Sequence, residues 1–190
     1  MIDKNRFISI TDAIIAVAAT VMVLRLDIPQ EPSIEAISSQ WPTFLAYIVS
    51  YLHIFMAWHE HHDSFANAVN INHRIFLMNC VWLFFVTVLP FATGLVGQSP
   101  TDRFAVLIYV LILFLCQFTL KIECDYSNRY NGTEMADDDI IRAIRKESFI
   151  CDVIAAAAAF AFPLLGLIIV LISSVLDVIL VVRYDIKHYS

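Results

Sequence analysis

Residues 6–27 read RFISITDAIIAVAATVMVLRLD, in which the apolar run of residues 7–24 is interrupted by one carboxylate, Asp12. About 20 apolar residues are enough to cross the hydrocarbon core of a bilayer as a helix. At 100° per residue, one stripe of this helix is apolar with a single hydroxyl group, and it consists of Ile10, Ala13, Val17, Thr20 and Leu24. The roughly opposite stripe holds the acid among small residues, namely Asp12, Ala16, Ala19 and Val23. The stretch therefore predicts a membrane helix with two different faces.

The composition extends this prediction to the whole chain. Of its 190 residues, 59% are hydrophobic and 16% are charged, and the mean hydropathy is +0.73. A soluble domain averages about 25% charged residues and could not bury so much apolar surface. We therefore expect an integral, all-α membrane protein. The four cysteines show no CxxC spacing, which indicates packed thiols, and the first apolar run is long and holds an acid, Asp12, which predicts a retained first helix and not a removed signal peptide.

The number of helices follows from the apolar runs. Five such runs occur, and the last extends over 34 residues from Phe149 to Val182. This length suits two short helices, and Pro163 and Gly166 near its middle favour a turn, although a single kinked helix is the alternative. We predict one six-helix domain over residues 1–190, with helices at about 7–26, 42–58, 75–97, 104–120, 148–164 and 166–183.

Basic residues orient these helices in the membrane. With six helices both termini share one side, which then carries ten Lys and Arg residues, whereas only Arg25 and Arg103 lie on the other side. Because cytoplasmic loops are enriched in Lys and Arg, both termini are predicted to be cytoplasmic, in the inner (plasma) membrane of the cell. Within the 121–147 loop, acids at 137–139 precede bases at 142–146, which favours a short helical extension or a solvated linker.

Polar residues at the predicted cytoplasmic ends of the first three helices suggest a hydrogen-bonded cluster, since lipid cannot satisfy them. Its candidate members are Arg6, Thr11, Asp12, Trp58, His61, His62, His73 and Asn79. We interpret Arg6 and Asp12 as a structural ion pair or helix cap rather than as ion ligands. The run of His59 to His62 does not have the H-E-x-x-H spacing, so no metal site is predicted. Asp152 and Asp177 could pair with each other, bond a hydroxyl such as Ser173, or face water.

The first half of the chain resembles a known family. Arg6-x-x-x-Ile10-Thr11-Asp12 is similar to the R-x-x-x-F-S-D signature of the first helix in the transmembrane protein 175 family of potassium-permeable channels, and residues 13–24 resemble the apolar run that follows it. The pattern of the second and third helices of that family is matched by Trp58-x-x-His61-His62, Asn79 and Pro90-Phe91. Ile10 and Thr11 replace the Phe and Ser of the signature, and the resemblance covers about the first 97 residues.

This resemblance implies a homotetramer in which the first helix of each subunit lines a central pore, with potassium ions as the permeant species and no cofactor. It places the narrowest ring at Val17, with Thr20 and Leu24 as the next layers. The helical stripe derived from the sequence contains the same three residues. No Thr-Val-Gly-Tyr-Gly filter occurs, so we expect an aliphatic constriction with a modest preference for potassium over sodium. Asp27, Glu31 and Glu35 would give the external mouth a negative potential.

A secondary transporter that couples protons or cations through buried Asp and His residues is the competing function. The sequence shows no inverted repeat and no pair of Gly- or Pro-broken helices, which favours the channel. An enzyme is not expected, because no nucleophile is paired with a base.

Overall fold

The structure, a computed structural model, describes residues 2–26, 28–31, 33–133 and 139–189. It is all-helical, as the sequence predicts. The helices are α1 (Lys4–Val23), α2 (Ile34–Ser38), α3 (Trp41–Ala66), α4 (His73–Gln98), α5 (Arg103–Asn131), α6 (Asp139–Ala161) and α7 (Pro163–Tyr189). Among the described residues, four stretches are long and apolar enough to cross a membrane: Lys4–Val23, His73–Gln98, Arg103–Asn131 and Pro163–Arg183.

Side-chain caps fix where the helices begin. The Asp3 carboxylate accepts a hydrogen bond from the Arg6 backbone N–H, and Asn72 and Asp102 cap α4 and α5 in the same way. Such caps satisfy backbone donors that the first turn of a helix leaves free. At the other end of α5, Gly132 adopts a left-handed conformation (φ 66°). Glycine accommodates this conformation without steric cost, so the helix stops there.

The helices pack as one bundle with α4 between α1, α3 and α5, while α6 and α7 pack against each other and against α5. Large side chains fill the interior, among them Trp82, Tyr109, Phe65 and Leu89. Large apolar side chains also cover much of the outside. A water-soluble protein would not expose so many, so this outer surface is suited to lipid.

Two helices continue well beyond their apolar runs. From the apolar runs these helices are predicted to end at residues 58 and 120, but α3 continues to Ala66 and α5 to Asn131. Neither extension contains Gly or Pro before Gly132. Polar side chains of the two extensions are buried against each other. Both helices therefore continue past their apolar segments. Most of the predicted 59–74 and 121–147 loops is therefore helical. Part of the acidic run, Asp137 and Asp138, lies outside the described residues, and α6 begins at the next residue, Asp139.

The last apolar run forms two helices that break at Phe162, next to Pro163. The prediction that Gly166 belongs to the turn is wrong, because Gly166 lies inside α7 and its φ is not positive. A Cβ atom at Gly166 would lie 2.7 Å from the Ala159 Cβ and 2.8 Å from the Ala155 carbonyl oxygen. The glycine therefore allows α6 and α7 to approach closely, as small residues do between membrane helices.

Candidate functional site

The two faces of α1 have different surroundings. The face that contacts α3 and α4 is buried and consists of Phe7, Thr11, Ile15, Ala18, Ala19 and Met22. The stripe of Ile10, Ala13, Val17, Thr20 and Leu24, here called the exposed stripe, is not covered by this chain. The exposed fractions of Val17 and Leu24 are 60% and 76%. In a membrane protein such a face meets lipid, a second subunit or a pore.

The structure corrects the composition of the opposite face. Ala19 is buried and Asp12 is partly buried, but Ala16 and Val23 are exposed. The buried face is centred instead on Ile15 and its neighbours, about 160° around the helix from Val17. The carboxylate of Asp12 therefore lies at the edge of the packed face and not at its centre.

Thr20 is the polar member of the exposed stripe. Its hydroxyl donates a hydrogen bond to the Val17 carbonyl oxygen at 2.9 Å, one turn earlier on the same helix. This bond uses the only proton of the hydroxyl and directs the oxygen lone pairs away from the backbone. The Thr20 oxygen is consequently available to accept a hydrogen bond from water or to contact a cation.

A buried chain of hydrogen bonds attaches α1 to the bundle at the predicted cytoplasmic end. The Thr11 hydroxyl lies 3.1 Å from the Asn79 side-chain oxygen and 3.0 Å from the Phe7 carbonyl oxygen. The Asn79 amide nitrogen lies 3.3 Å from His61 Nε2. His61 in turn stacks between the rings of Phe65 and Trp82, at centroid distances of 4.5 Å and 5.0 Å. These contacts join α1, α3 and α4.

Asp12 has a different partner from the one proposed from the sequence. Its carboxylate accepts a hydrogen bond from Trp58 Nε1 at 2.9 Å, and the Trp58 ring stacks on His62 at 5.4 Å. Within the part of the chain that the structure describes, no ion pair joins Arg6 to Asp12, and the Arg6 side chain is exposed. The ion-pair interpretation is therefore wrong for this structure. His73, the remaining candidate, lies exposed at the start of α4.

The chain of polar contacts continues to a residue that the sequence analysis missed. Glu123 of α5 is fully buried, and its carboxylate lies 3.8 Å from His61 Nε2. A signal for this position exists in the sequence, because the buried stripe of α5 continues at helical spacing through Leu113, Cys116, Leu120, Glu123 and Ser127. The burial of Glu123 was not predicted, because residues 121–147 were expected to form a loop.

A second polar group missed by the sequence analysis lies deeper in the bundle. The Ser50 hydroxyl is 2.7 Å from the Thr93 hydroxyl and 2.9 Å from the Tyr109 hydroxyl, and all three residues are fully buried. These bonds join α3, α4 and α5 where lipid could not satisfy the hydroxyls. The sequence does not show that these hydroxyls are partners, since they come from distant segments.

The side chains of the His59–His62 run diverge. His59 pairs with Asp63 at the surface (3.2 Å), His61 points into the core, and His62 lies on Trp58. Consecutive residues of a helix face different directions, so this run does not converge on one ion.

At the predicted external end of α1, Glu31 and Glu35 are exposed, and Asp27 lies outside the described residues. The aliphatic part of Arg25 lies over Gly94 of α4, where a Cβ atom would be 3.1 Å from the Arg25 Cδ. The Arg25 side chain thus folds back along α4.

The comparisons with known proteins agree with this arrangement. The family model of the endosomal/lysosomal potassium channel TMEM175 matches residues 6–90, which include nearly all of α1, all of α3 and about two thirds of α4. The first half of the chain therefore resembles the TMEM175 family. The chain is 28% identical over 166 residues to a potassium channel of a Chryseobacterium species, covering 86% of each chain. It is 30% identical over 116 residues to a potassium channel of Chamaesiphon minutus, covering 56% of this chain and 57% of that one.

The fold of this chain is also that of a solved structure. The crystal structure of a lysosomal potassium-selective channel TMEM175 homolog from Chamaesiphon minutus superposes with a TM-score of 0.77. That likeness covers 95% of this chain and 97% of the other, at 24% sequence identity. The shared fold therefore includes α5 to α7, which lie beyond the residues matched by the family model.

The contact between Asp12 and Trp58 yields a first prediction. Asp12→Ala should destabilise the folded protein by about 1–3 kcal/mol, because it removes a hydrogen bond to a charged acceptor and leaves the part-buried Trp58 N–H without its partner. Arg6→Ala should have a much smaller effect, since the Arg6 side chain is exposed. Thermal denaturation of the purified protein in detergent measures both. A larger loss for Arg6→Ala than for Asp12→Ala would contradict this assignment.

Proposed function

We propose that this chain is a potassium-permeable cation channel whose pore is formed by the exposed stripe of α1 from several subunits. The observation that carries the proposal is the stripe itself: an apolar face with one outward hydroxyl oxygen, left uncovered on the helix that bears the family signature. The relatives named above are potassium channels, which supports the same ion. The family is one of ion channels and not of enzymes.

The proposed assembly is a homotetramer of six-helix subunits with both termini in the cytoplasm of a cell, in its plasma membrane. Side chains fill the interior of a single bundle, and α1 lies at its periphery with one face open. One subunit therefore cannot enclose a pore along α1, whereas copies related by a central axis can. A groove beside the stripe, lined by Ala13, Val17, Val21, Thr87 and Pro90, provides a surface for a neighbouring α1.

In this assembly the side chains of four Val17 residues form the constriction, with Thr20 and Leu24 as the next layers. An aliphatic ring offers no hydrogen bonds to water, so its width decides whether a water column persists. The Thr20 oxygens contact ions that have shed part of their hydration. A potassium ion gives up water more readily than a sodium ion, and this difference accounts for a modest preference for potassium.

The buried polar residues have a different role in this proposal. They hold the pore helix against α3 and α4 and do not contact the ion. One set consists of Thr11, Asn79 and His61, and the other of Asp12, Trp58 and His62. Each of the interior members lies on the packed side of the bundle, away from the exposed stripe. Their substitution should change the amount of assembled protein more than its ion selectivity.

Flux from proteoliposomes tests the channel against the coupled transporter. We expect potassium to leave the vesicles down its gradient at a rate that does not depend on a proton or sodium gradient. Vesicles that contain neither the protein nor valinomycin are the control, and they should release no potassium. Potassium flux that requires an opposing proton or sodium gradient would instead establish a transporter. Native mass measurement in detergent tests the assembly, and a species that is only monomeric would contradict it.

The proposed external mouth yields a second prediction. Glu31 and Glu35 are exposed, so salt screens their charge over about 8–10 Å at physiological ionic strength. Neutralising both as Glu31→Gln and Glu35→Gln should lower the single-channel conductance at low salt and change it little at high salt. Asp63→Asn, at the predicted cytoplasmic side and likewise exposed, is the control. An equal reduction at low and high salt would show that the two carboxylates act structurally.

A further inference from the structure

A cavity of about 110 Å³ lies between α3, α5 and α7. Its walls consist mainly of aliphatic side chains, among them Leu45, Val49, Leu164, Leu167 and Ile168. None of the described residues that line it belongs to α1, so the proposed pore does not use it. Apolar cavities of similar size, about 150 Å³, stay free of water and bind small apolar molecules such as benzene. The size and the lining of this cavity therefore suit an apolar ligand.

The polar atoms at the cavity are few. Of the described residues that line it, Trp41 and Tyr109 carry polar side-chain atoms. The Tyr109 hydroxyl group is fully buried, lies 2.9 Å from Ser50 Oγ and donates a hydrogen bond to the Ala46 carbonyl oxygen at 3.3 Å. These contacts hold the Tyr109 ring in place, so the cavity is preformed. A buried water molecule needs two to four polar partners, and this wall does not supply them.

The cavity opens to the outside of the bundle near the end at which α3, α5 and α7 begin. Three of its lining residues, Trp41, Leu164 and Ile168, are exposed there. At 1.5 Å per residue, Val49 lies about 12 Å along α3 from Trp41, the first residue of that helix. Tryptophan is enriched at membrane interfaces, and the hydrocarbon core below the interface is about 30 Å thick. The opening therefore faces the acyl chains of the surrounding lipid.

We propose that this cavity binds one acyl chain of a membrane lipid. The chain lies against carbon atoms of α3, α5 and α7 together and makes van der Waals contacts that an unfilled cavity lacks. Among the described lining residues no side chain is charged, so the site takes the chain and does not discriminate between headgroups. Because α3 and α7 both contribute to its walls, the bound chain stabilises the packing of these two helices.

Native mass spectrometry of the full chain, delipidated in detergent and then mixed with dioleoyl phosphatidylcholine, tests this site. The wild type should retain one lipid per subunit at collision energies that remove all others. Leu164→Trp places an indole ring in the cavity and should lose this lipid. Leu165→Trp is the matched control and should keep it, because Leu165 is the neighbouring exposed leucine of α7 and does not line the cavity. Retention by Leu164→Trp, or loss from both variants, would overturn the proposal.

The same measurement tests what the site recognises. Dioleoyl phosphatidylglycerol, which has the same chains and an anionic headgroup, should be retained equally well. Retention of only one of the two lipids would contradict recognition through the chain. A change in subunit number in Leu164→Trp with unchanged lipid retention would also overturn the proposal, because a neighbouring subunit would then fill the cavity.

A measurement on the unmodified chain does not depend on the folding of Leu164→Trp. In a structure determined with a lipid that carries bromine atoms on its acyl chain, bromine density should lie in the cavity between Leu45 and Ile168. Bromine density found only on other surfaces of the bundle would overturn the proposal. These outcomes do not depend on whether the protein conducts potassium.

Discussion

Val17→Ala should raise the conductance of the channel and weaken its discrimination between potassium and sodium. The substitution removes two methyl groups from each subunit at the proposed constriction, so the ring becomes wider and easier to wet. Lowering the barrier to ion passage by only about 1.4 kcal/mol would raise the rate about tenfold. Single-channel recording in a planar bilayer measures both the conductance and, from the reversal potential, the selectivity.

A larger side chain at position 17 should have the opposite effect on the current. Val17→Phe or Val17→Leu should narrow the ring and suppress the current, with little loss of stability, because the Val17 side chain is 60% exposed and packs against little of its own subunit. Val153→Ala is the matched control, since Val153 is 53% exposed on α6, far from α1 in sequence. If Val17→Ala destabilised the assembly and left conductance and selectivity unchanged, Val17 would be a packing residue.

The largest loss of stability is expected at the buried pair of His61 and Glu123. His61→Leu leaves the buried Asn79 amide group without its contact to His61 Nε2, and it puts an apolar side chain where the imidazole lies 3.8 Å from the Glu123 carboxyl group. A buried polar group left without a partner typically costs about 1–3 kcal/mol. Adding Glu123→Leu should recover part of that loss, because it removes the buried carboxyl group, whereas the Asn79 amide group still lacks its partner. The loss of monodisperse protein on heating, followed by size-exclusion chromatography, measures these changes.

The surface pair of His59 and Asp63 is the matched control for this comparison. It has the same chemistry at 3.2 Å, but both side chains are more than 40% exposed. Exposed pairs contribute only about 0–1 kcal/mol, so His59→Leu should change the stability little. If the His61→Leu/Glu123→Leu double variant were less stable than either single variant, the two side chains would contribute independently and not as a pair.

The features that could be predicted from the sequence are those set by local periodicity. The stripe of Val17, Thr20 and Leu24 follows from 3.6 residues per turn, and the structure leaves this face uncovered. The polar cluster could be predicted because lipid leaves Thr11, His61 and Asn79 no other partners. The approximate position of this cluster follows from the predicted ends of the first three helices. The contact of Asp12 with Trp58 does not follow from them.

The features that the sequence did not reveal depend on contacts between distant segments. Glu123 is a charged residue beyond an apolar run, and only the packing of α5 against α3 and α4 shows that it is buried. Gly166 looked like a turn residue because it follows Pro163, but its role depends on the position of Ala159 across the helical hairpin. Hydropathy places residues in or out of the membrane and carries no information on which helices are neighbours.

Whether the exposed stripe of α1 lines the ion pathway is tested most directly by cysteine accessibility at Val17. In a background in which the exposed Cys80 is replaced by serine, Val17→Cys channels should be blocked by cadmium ions or by a small positively charged thiol reagent added to the bath. Val153→Cys channels should not be blocked. Block of Val17→Cys alone is the result predicted here, and full current through Val17→Cys channels in the presence of both reagents would contradict the pore assignment.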